Sequence, residues 1–150
     1  MKKTLHFTET IGAPARRVWE TMLGPETYKA WTADFCEGSR FEGSWAQGEK
    51  IRFLAPNGDG MMSEIAENRL HEHVSIRHLG EISGGVEDTT SEKVLAWAPA
   101  YEKYTFHPRN GGTEVQVDVD VTPEYEQYMS DTFPKALARL KALCEGRSEE

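Results

Sequence analysis

An amphipathic stretch near the end of the chain, residues 122–145 (TPEYEQYMSDTFPKALARLKALCE), limits what the rest can be. Its apolar side chains fall at Tyr125, Tyr128, Met129, Phe133, Ala136, Leu137, Leu140, Leu143 and Cys144. Steps of three and four, kept up over roughly six turns, place them on one side of an α-helix. Glu124, Glu126, Asp131, Lys135, Arg139 and Lys141 occupy the other side. Both ends carry signals. Thr122 is an N-cap whose side-chain oxygen can accept from an early backbone N–H, Pro123 sits where a missing N–H costs nothing, and Gly146 is the stop. Acidic residues gather in the first half and basic ones in the second, which suits the helix dipole. Pro134 removes one backbone hydrogen bond and predicts a kink or a split near residues 131–133. A helix with so broad an apolar face needs a large surface beneath it.

The preceding residues supply a sheet. Residues 3–10 alternate Leu5 and Phe7 against His6 and Thr8, the pattern of a strand wet on one face. Two short helices follow: PARRVWETML, carrying Val18, Trp19 and Met22, and PETYKAWTADF, carrying Tyr28, Trp31 and Phe35. From Arg40 the period changes to two. Strands are expected at about 40–45, 50–54, 61–68, 74–82, 101–107 and 113–121. Their connections carry turn chemistry, in Gln47-Gly48, Asn57-Gly58-Asp59-Gly60 and Asn110-Gly111-Gly112. Only the link from Ser83 to Ala100 is long, and within it SEKVLAW reads as a short helix capped by Ser91. The order is strand, two helices, six strands, long helix. This predicts an α+β helix-grip fold in one domain, 1–150: a curved antiparallel sheet of about seven strands wrapped around the C-terminal helix. Two short helices lie between strands 1 and 2, and the first strand pairs with the last.

Composition narrows the function classes. The formal charge is −8, from 17 basic and 25 acidic residues, and no basic cluster exceeds a pair. Tracking phosphates needs concentrated Lys and Arg, so neither nucleic acid nor an anionic membrane is an expected partner. The start, MKKTLHFTET, has no apolar run behind its lysines and does not read as a signal peptide. Cys36 and Cys144 stand far apart in no metal or redox motif, and are expected as reduced thiols of a cytoplasmic protein.

Several stretches together resemble a known family: APARRVWETM, YKAWTADFCEGSRFEGSW with GEKIRF, GMMSEIAEN, SIRHLGE, AYEKYTF, GGTEVQVDVDV and FPKALARLKAL. They look like the START-like (SRPBCC) superfamily, with its birch-pollen-allergen-like fold. Within it they are similar to the bacterial group named for the activator-of-heat-shock-protein-90-ATPase homologue. The resemblance covers essentially the whole chain. It implies a cavity for apolar or aromatic small molecules, in a superfamily whose members include binders, lipid carriers, cyclases and hydrolases. The group's name points to a chaperone-interacting module as a further class.

Candidate chemistry starts with LHEHVSIRH. In a strand, His71 and His73 share a face with Ser75 and Arg77, and His78 shares the other with Val74, Ile76 and Ile82. The three imidazoles do not converge without a bulge. No metal site is expected, and His71 and His73 read as solvated strand-start residues. His78 lies on an apolar face that should line the interior. On the next strand Glu102 shares a face with Tyr104 and Phe106, so it points inward too. A buried carboxylate needs a partner. His78 and Tyr104 are the candidates, and Glu102 with His78 is the pair that acid–base catalysis would use. The plainer alternatives are a structural pair or a polar anchor for a ligand. No cofactor is expected.

The aromatic and thioether inventory is Trp31, Phe35, Trp45, Phe53, Met61, Tyr104, Phe106, Tyr128, Met129 and Phe133. Most such residues are core, but a curved sheet and one helix do not easily fill the space between them. The expected activity is non-enzymatic binding of a small hydrophobic or aromatic molecule. The expected lining is Trp31, Phe35, Phe53, Met61, Ile76, His78, Tyr104, Phe106, Tyr128, Met129 and Phe133, with Tyr125, Tyr128 and Met129 as a mobile gate. The runner-up is a cavity enzyme of polyketide-cyclase or hydrolase type using Glu102 and His78. A homodimer stays open.

Overall fold

The structure is a computed structural model that describes residues 2–146. Nine residues of β1 (Lys3–Ile11) lead into α1 (Ala15–Leu23), α2 (Pro25–Trp31) and one 3₁₀ turn (Thr32–Asp34). Strands β2 (Arg40–Gly43), β3 (Lys50–Leu54), β4 (Gly60–Arg69) and β5 (His73–Ser83) follow. Then come β6 (Val86–Asp88), α3 (Glu92–Leu95), β7 (Ala100–Arg109), β8 (Gly112–Val121) and α4 (Pro123–Cys144). The sheet is antiparallel and open, in the order β1-β8-β7-β5-β4-β3-β2, so the first strand pairs with the last as the alternating patterns require. This is the helix-grip, α+β architecture expected from the sequence.

The strand count rises to eight because β6 hangs on β5 alone, off the main path. The sequence hides it, since three residues show no period. Two glycines at positive φ, Gly84 (58°) and Gly85 (81°), turn the chain back and bring Asp88 against Gly80. A Cβ on Gly80 would stand 2.1 Å from the Asp88 carbonyl oxygen, so only glycine admits this close approach. Ser91 caps α3 as expected, its hydroxyl accepting from the Val94 N–H at 3.2 Å.

Of the kink or split expected at Pro134, the split does not occur: helix α4 runs unbroken from Pro123 to Cys144. Pro134 lies on the solvent face, where water can solvate the carbonyl that its missing N–H leaves free. Phe133, Ala136, Leu137 and Leu140, all at most 2% exposed, pin both halves to the same core. Thr122 takes the N-cap position, but its side chain makes no cap hydrogen bond. Its backbone carbonyl instead accepts from the Tyr125 N–H at 3.0 Å. Gly146 ends the helix at φ 77°. Arg139 clamps α4 to the 3₁₀ turn through Asp34 (3.0 Å).

The apolar face of α4 packs chiefly against β1, α1 and α2. Phe133 stacks on Phe7 at 5.0 Å and meets Phe35 at 4.8 Å. Trp19 meets Phe106 at 5.4 Å. Phe7 and Phe35 thus lie beneath the middle of the helix. Its start is wetter than the spacing suggests: Tyr125 is 55% exposed and Tyr128 43%.

One irregularity decides which side chains face this interior. Between β4 and β5 the register jumps from Met62↔Gly80 to Ser63↔His78, leaving Leu79 as an extra residue. Such a bulge reverses the alternation beyond it. Val74, Ile76 and His78 face inward as expected, but Ile82 does not share their face. It joins Leu54 and Met62 in a separate small cluster on the other side of the sheet.

Candidate functional site

Neighbouring strands deliver a chain of four polar groups into the interior. His78 (β5) is paired with Ser63 (β4), and Glu102 (β7) sits opposite Ile76, one diagonal step from His78. Ser63 Oγ lies 2.7 Å from His78 Nδ1, and His78 Nε2 lies 2.9 Å from Glu102 Oε1. The Tyr104 hydroxyl donates to Glu102 Oε2. Ser63 is fully buried, Tyr104 3% exposed and His78 9%.

The charge state follows from the bonding. Burial by itself would push the Glu102 carboxyl up. The hydrogen bond from His78, the His78 charge and the Tyr104 hydroxyl outweigh it and hold the group below its ordinary value. The carboxylate is therefore ionised and can only accept. His78 Nε2 carries a proton toward it, and Nδ1 faces the Ser63 hydroxyl. Burial, and then the nearby Glu102 charge, raise both Tyr104 and Tyr28 far above the ordinary phenol range, so both keep their protons.

Aromatic rings surround this chain. Phe53 lies 5.8 Å from the His78 ring, and Trp31 lies 6.3 Å from Tyr104. Tyr28 packs edge-on to Trp31 (5.9 Å) and Phe41 (5.2 Å), and Trp45 contacts Phe41 (5.3 Å) and Phe53 (5.7 Å). Phe41 and Phe53 are cross-strand partners. Beside them opens a cleft of about 200 Å³ between α2 and the β2–β4 end of the sheet. Tyr28, Cys36, Ser39, Arg40, Phe53 and Leu54 contribute to its lining. Arg40 at this cleft is engaged by Glu42 (3.4 Å) and the Ala55 carbonyl (3.2 Å).

A second cleft, about 390 Å³, lies on the other side of the sheet between Lys50, Met62, Leu79, Glu87, Leu95 and Pro99. Neither cleft takes a residue from α4.

Of the residues expected to line a pocket, Phe53 lines the first cleft. Trp31, Ile76, Tyr104, Phe106 and Phe133, at 2–3% exposure, pack into the core. Phe35 and Met129 are half-buried against it, and Met61 pairs across the strands with Phe53. Tyr128 donates its hydroxyl to the Phe35 carbonyl, which ties the expected gate to the loop after α2. His78, Glu102 and Tyr104 are brought together as expected. His71 and His73 are not the solvated pair read from the sequence. His71 sits in a turn at φ 64° with its ring on Trp19 (5.9 Å), and His73 Nδ1 meets Thr105 Oγ1 at 2.9 Å. Thr105 is the cross-strand neighbour of His73, which is why that ring is drawn in.

Three participants were not singled out from the sequence: Ser63, Tyr28 and Arg40. Ser63 had a readable signal, a lone hydroxyl between Met61 and Ile65 on an otherwise apolar inward face. Tyr28 stands three residues before Trp31 on the same helix face.

Comparison with known proteins extends the geometry. The family described as "Activator of Hsp90 ATPase homolog 1-like protein" matches residues 12–145. Protein MLL2253 from Mesorhizobium loti superposes with a TM-score of 0.73 at 14% identity, over 97% of this chain and 99% of its own. The Aha1 dimer from Colwellia psychrerythraea gives 0.73 at 14% identity, over 95% of this chain and 96% of its own. Protein Ms6760 from Mycobacterium smegmatis gives 0.65 at 18% identity, over 93% and 89%. At these identities the likeness is one of fold. Among curated proteins none matches the sequence.

Proposed function

The chain belongs to the Activator of Hsp90 ATPase homolog 1-like protein family, and we propose that it works within that family as a non-enzymatic binder of a small hydrophobic or aromatic molecule. The ligand enters the cleft between α2 and the β2–β4 end of the sheet. The observation that carries this reading is the Ser63–His78–Glu102–Tyr104 chain, set in aromatic rings directly behind Tyr28 and Phe53. A mostly apolar concavity with a few convergent polar groups is the usual build of a small-molecule site. The cleft's volume, about 200 Å³, suits a molecule of one or two rings rather than a long lipid.

Cys36 lines this cleft and is exposed, so it reports on occupancy. An apolar environment-sensitive dye such as N-phenyl-1-naphthylamine should bind saturably, quench tryptophan emission and slow alkylation of Cys36 by iodoacetamide. Saturable binding with unchanged Cys36 reactivity would move the site elsewhere. Absence of any saturable binding would sink the reading and leave the outer surface, and a chaperone or other protein partner, as the route of action. Because the Colwellia relative is a dimer, light scattering should accompany the titration to fix sites per assembly.

A second reading uses the same groups as a catalyst, because the His78 ring stands between a hydroxyl at Nδ1 and an ionised carboxylate at Nε2. It predicts turnover of a bound cyclisable or hydrolysable substrate that Glu102→Gln abolishes while dye binding survives. Binding without turnover is the simpler reading, because Ser63 is fully buried and both oxygens of Glu102 are already engaged.

A further inference from the structure

Two hydrogen-bond donors beside the cleft have nothing to donate to. The indole Nε1 of Trp45 is buried and is the one buried side-chain nitrogen or oxygen among the described residues without a partner. The Tyr28 hydroxyl, on the cleft wall, likewise makes no hydrogen bond among the described residues. Buried donors without acceptors are rare, because water has been surrendered with nothing in return. One occurs here, and the half-buried Tyr28 stands next to it: both rings contact Phe41 and Phe53, at 5.2–6.1 Å.

We infer that Trp45 Nε1 and the Tyr28 hydroxyl are specificity-determining donors that read an oxygen acceptor on the ligand. The site thereby selects neutral aromatic carbonyl compounds over hydrocarbons or carboxylates of the same ring size. This rests on the binding reading above and sharpens it. A hydrocarbon entering between these rings leaves both donors orphaned. A carbonyl oxygen, with two lone pairs, satisfies them. A carboxylate would satisfy them too, but the Glu102 carboxylate lies behind the same rings, bonded to Tyr104, whose ring meets Trp31 (6.3 Å) as Trp31 meets Tyr28 (5.9 Å), and like charges in a low-dielectric interior repel. Arg40 does not offset this, being held by Glu42 and the Ala55 carbonyl. The four polar groups behind are matched to one another, which leaves Trp45 Nε1 and the Tyr28 hydroxyl as the ring donors with no acceptor in the protein among the described residues. Reaching Trp45 requires the Phe41–Phe53 pair to part, which an inserted flat ring would do by stacking between them.

Three naphthalenes of one ring size test this: 2-acetylnaphthalene, 2-ethylnaphthalene and 2-naphthoate. Titration calorimetry on the wild type at pH 7 should rank the ketone about tenfold tighter than the hydrocarbon, with the carboxylate weakest. Trp45→Phe and Tyr28→Phe, which remove a donor and keep a ring, should erase the ketone's advantage over the hydrocarbon. In the wild type the Trp45 indole ¹H–¹⁵N resonance, one of four tryptophan signals, should move downfield with the ketone and not with the hydrocarbon. That readout holds even if a variant fails to fold. Equal affinity for ketone and hydrocarbon, with the Trp45 resonance unmoved by the ketone, overturns the donor assignment and leaves the binding reading standing. Tightest binding by 2-naphthoate overturns the charge selection. If none of the three binds, the binding reading falls and takes this inference with it.

Discussion

Glu102 puts a negative charge among aromatic rings, and its neighbours explain how it stays there. Two hydrogen bonds reach its oxygens, from His78 on the neighbouring strand and Tyr104 on its own, and with the His78 charge they outweigh desolvation. Removing the charge while keeping the shape, Glu102→Gln, should cost about 1–3 kcal/mol at pH 7, by loss of hydrogen bonds to an ionised acceptor. The pH dependence has a definite sign. The folded-state pKa lies below the ordinary 4.5, so the carboxylate's contribution is complete above that value and is lost as pH falls through the folded one. Urea unfolding at pH 7 and pH 3 should show the gap between wild type and Glu102→Gln closing in acid. An unchanged gap would mean that folding does not depress the carboxyl's pKa, and a gap that moves in wild type's favour in acid would mean that the group is neutral in the folded protein. At this scale much was legible. Period two turned Glu102 inward with Tyr104, and strand adjacency named His78 as its partner. Ser63 escaped because its contact with His78 depends on the register of β4 against β5, which alternation within one strand does not reveal.

The elements were read more surely where a single period ran long. Helix α4 and strands β3, β7 and β8 appear within a residue or two of their expected bounds. Leu140 is fully buried on the helix's apolar stripe. Leu140→Ala should cost about 2–5 kcal/mol in chemical denaturation, and an unchanged midpoint would show that the helix does not cover the core. The split read at Pro134 does not occur. Proline in a helix interior costs about 3 kcal/mol against alanine, but local propensity yields to packing when both flanking turns are anchored. Here Phe133 on one side and Leu137 on the other are both buried. Pro134→Ala should therefore raise stability by up to about 3 kcal/mol without changing the fold. A destabilised variant would mean that the proline shapes a bend the core requires. The bulge at Leu79 and the three-residue β6 were illegible for the opposite reason. The bulge is set by how β5 fits between β4 and β7, and β6 by the close approach of Asp88 to Gly80; neither leaves a period in the sequence.

In the whole molecule the helix and the sheet divide the labour. The α4 side is filled by Phe7, Phe35 and Phe133 and serves as the stable floor. The α2 side is looser, with half-buried Tyr28, Phe41, Trp45 and Phe53 grouped around a cleft. Sequence periodicity placed the opening under the start of the long helix, because that is where its bulky polar-tipped residues lie. Tyr125 and Tyr128 instead face solvent, and the cleft opens beside α2. The topology could be derived because each strand's turn and alternation constrain it locally. The position of a void could not, because it depends on how ring volumes from separate elements add up in space. No helix among the described residues is long and apolar enough to cross a membrane. The central claim is that a small aromatic molecule occupies the space in front of His78 and Glu102. A crystal structure of the protein grown with 2-acetylnaphthalene tests it most directly. The account predicts density for the ring between Tyr28 and Phe53, with the Phe41–Phe53 pair parted. Density confined to the cleft of Met62 and Leu95 on the far side of the sheet, or to the outer surface, would contradict it.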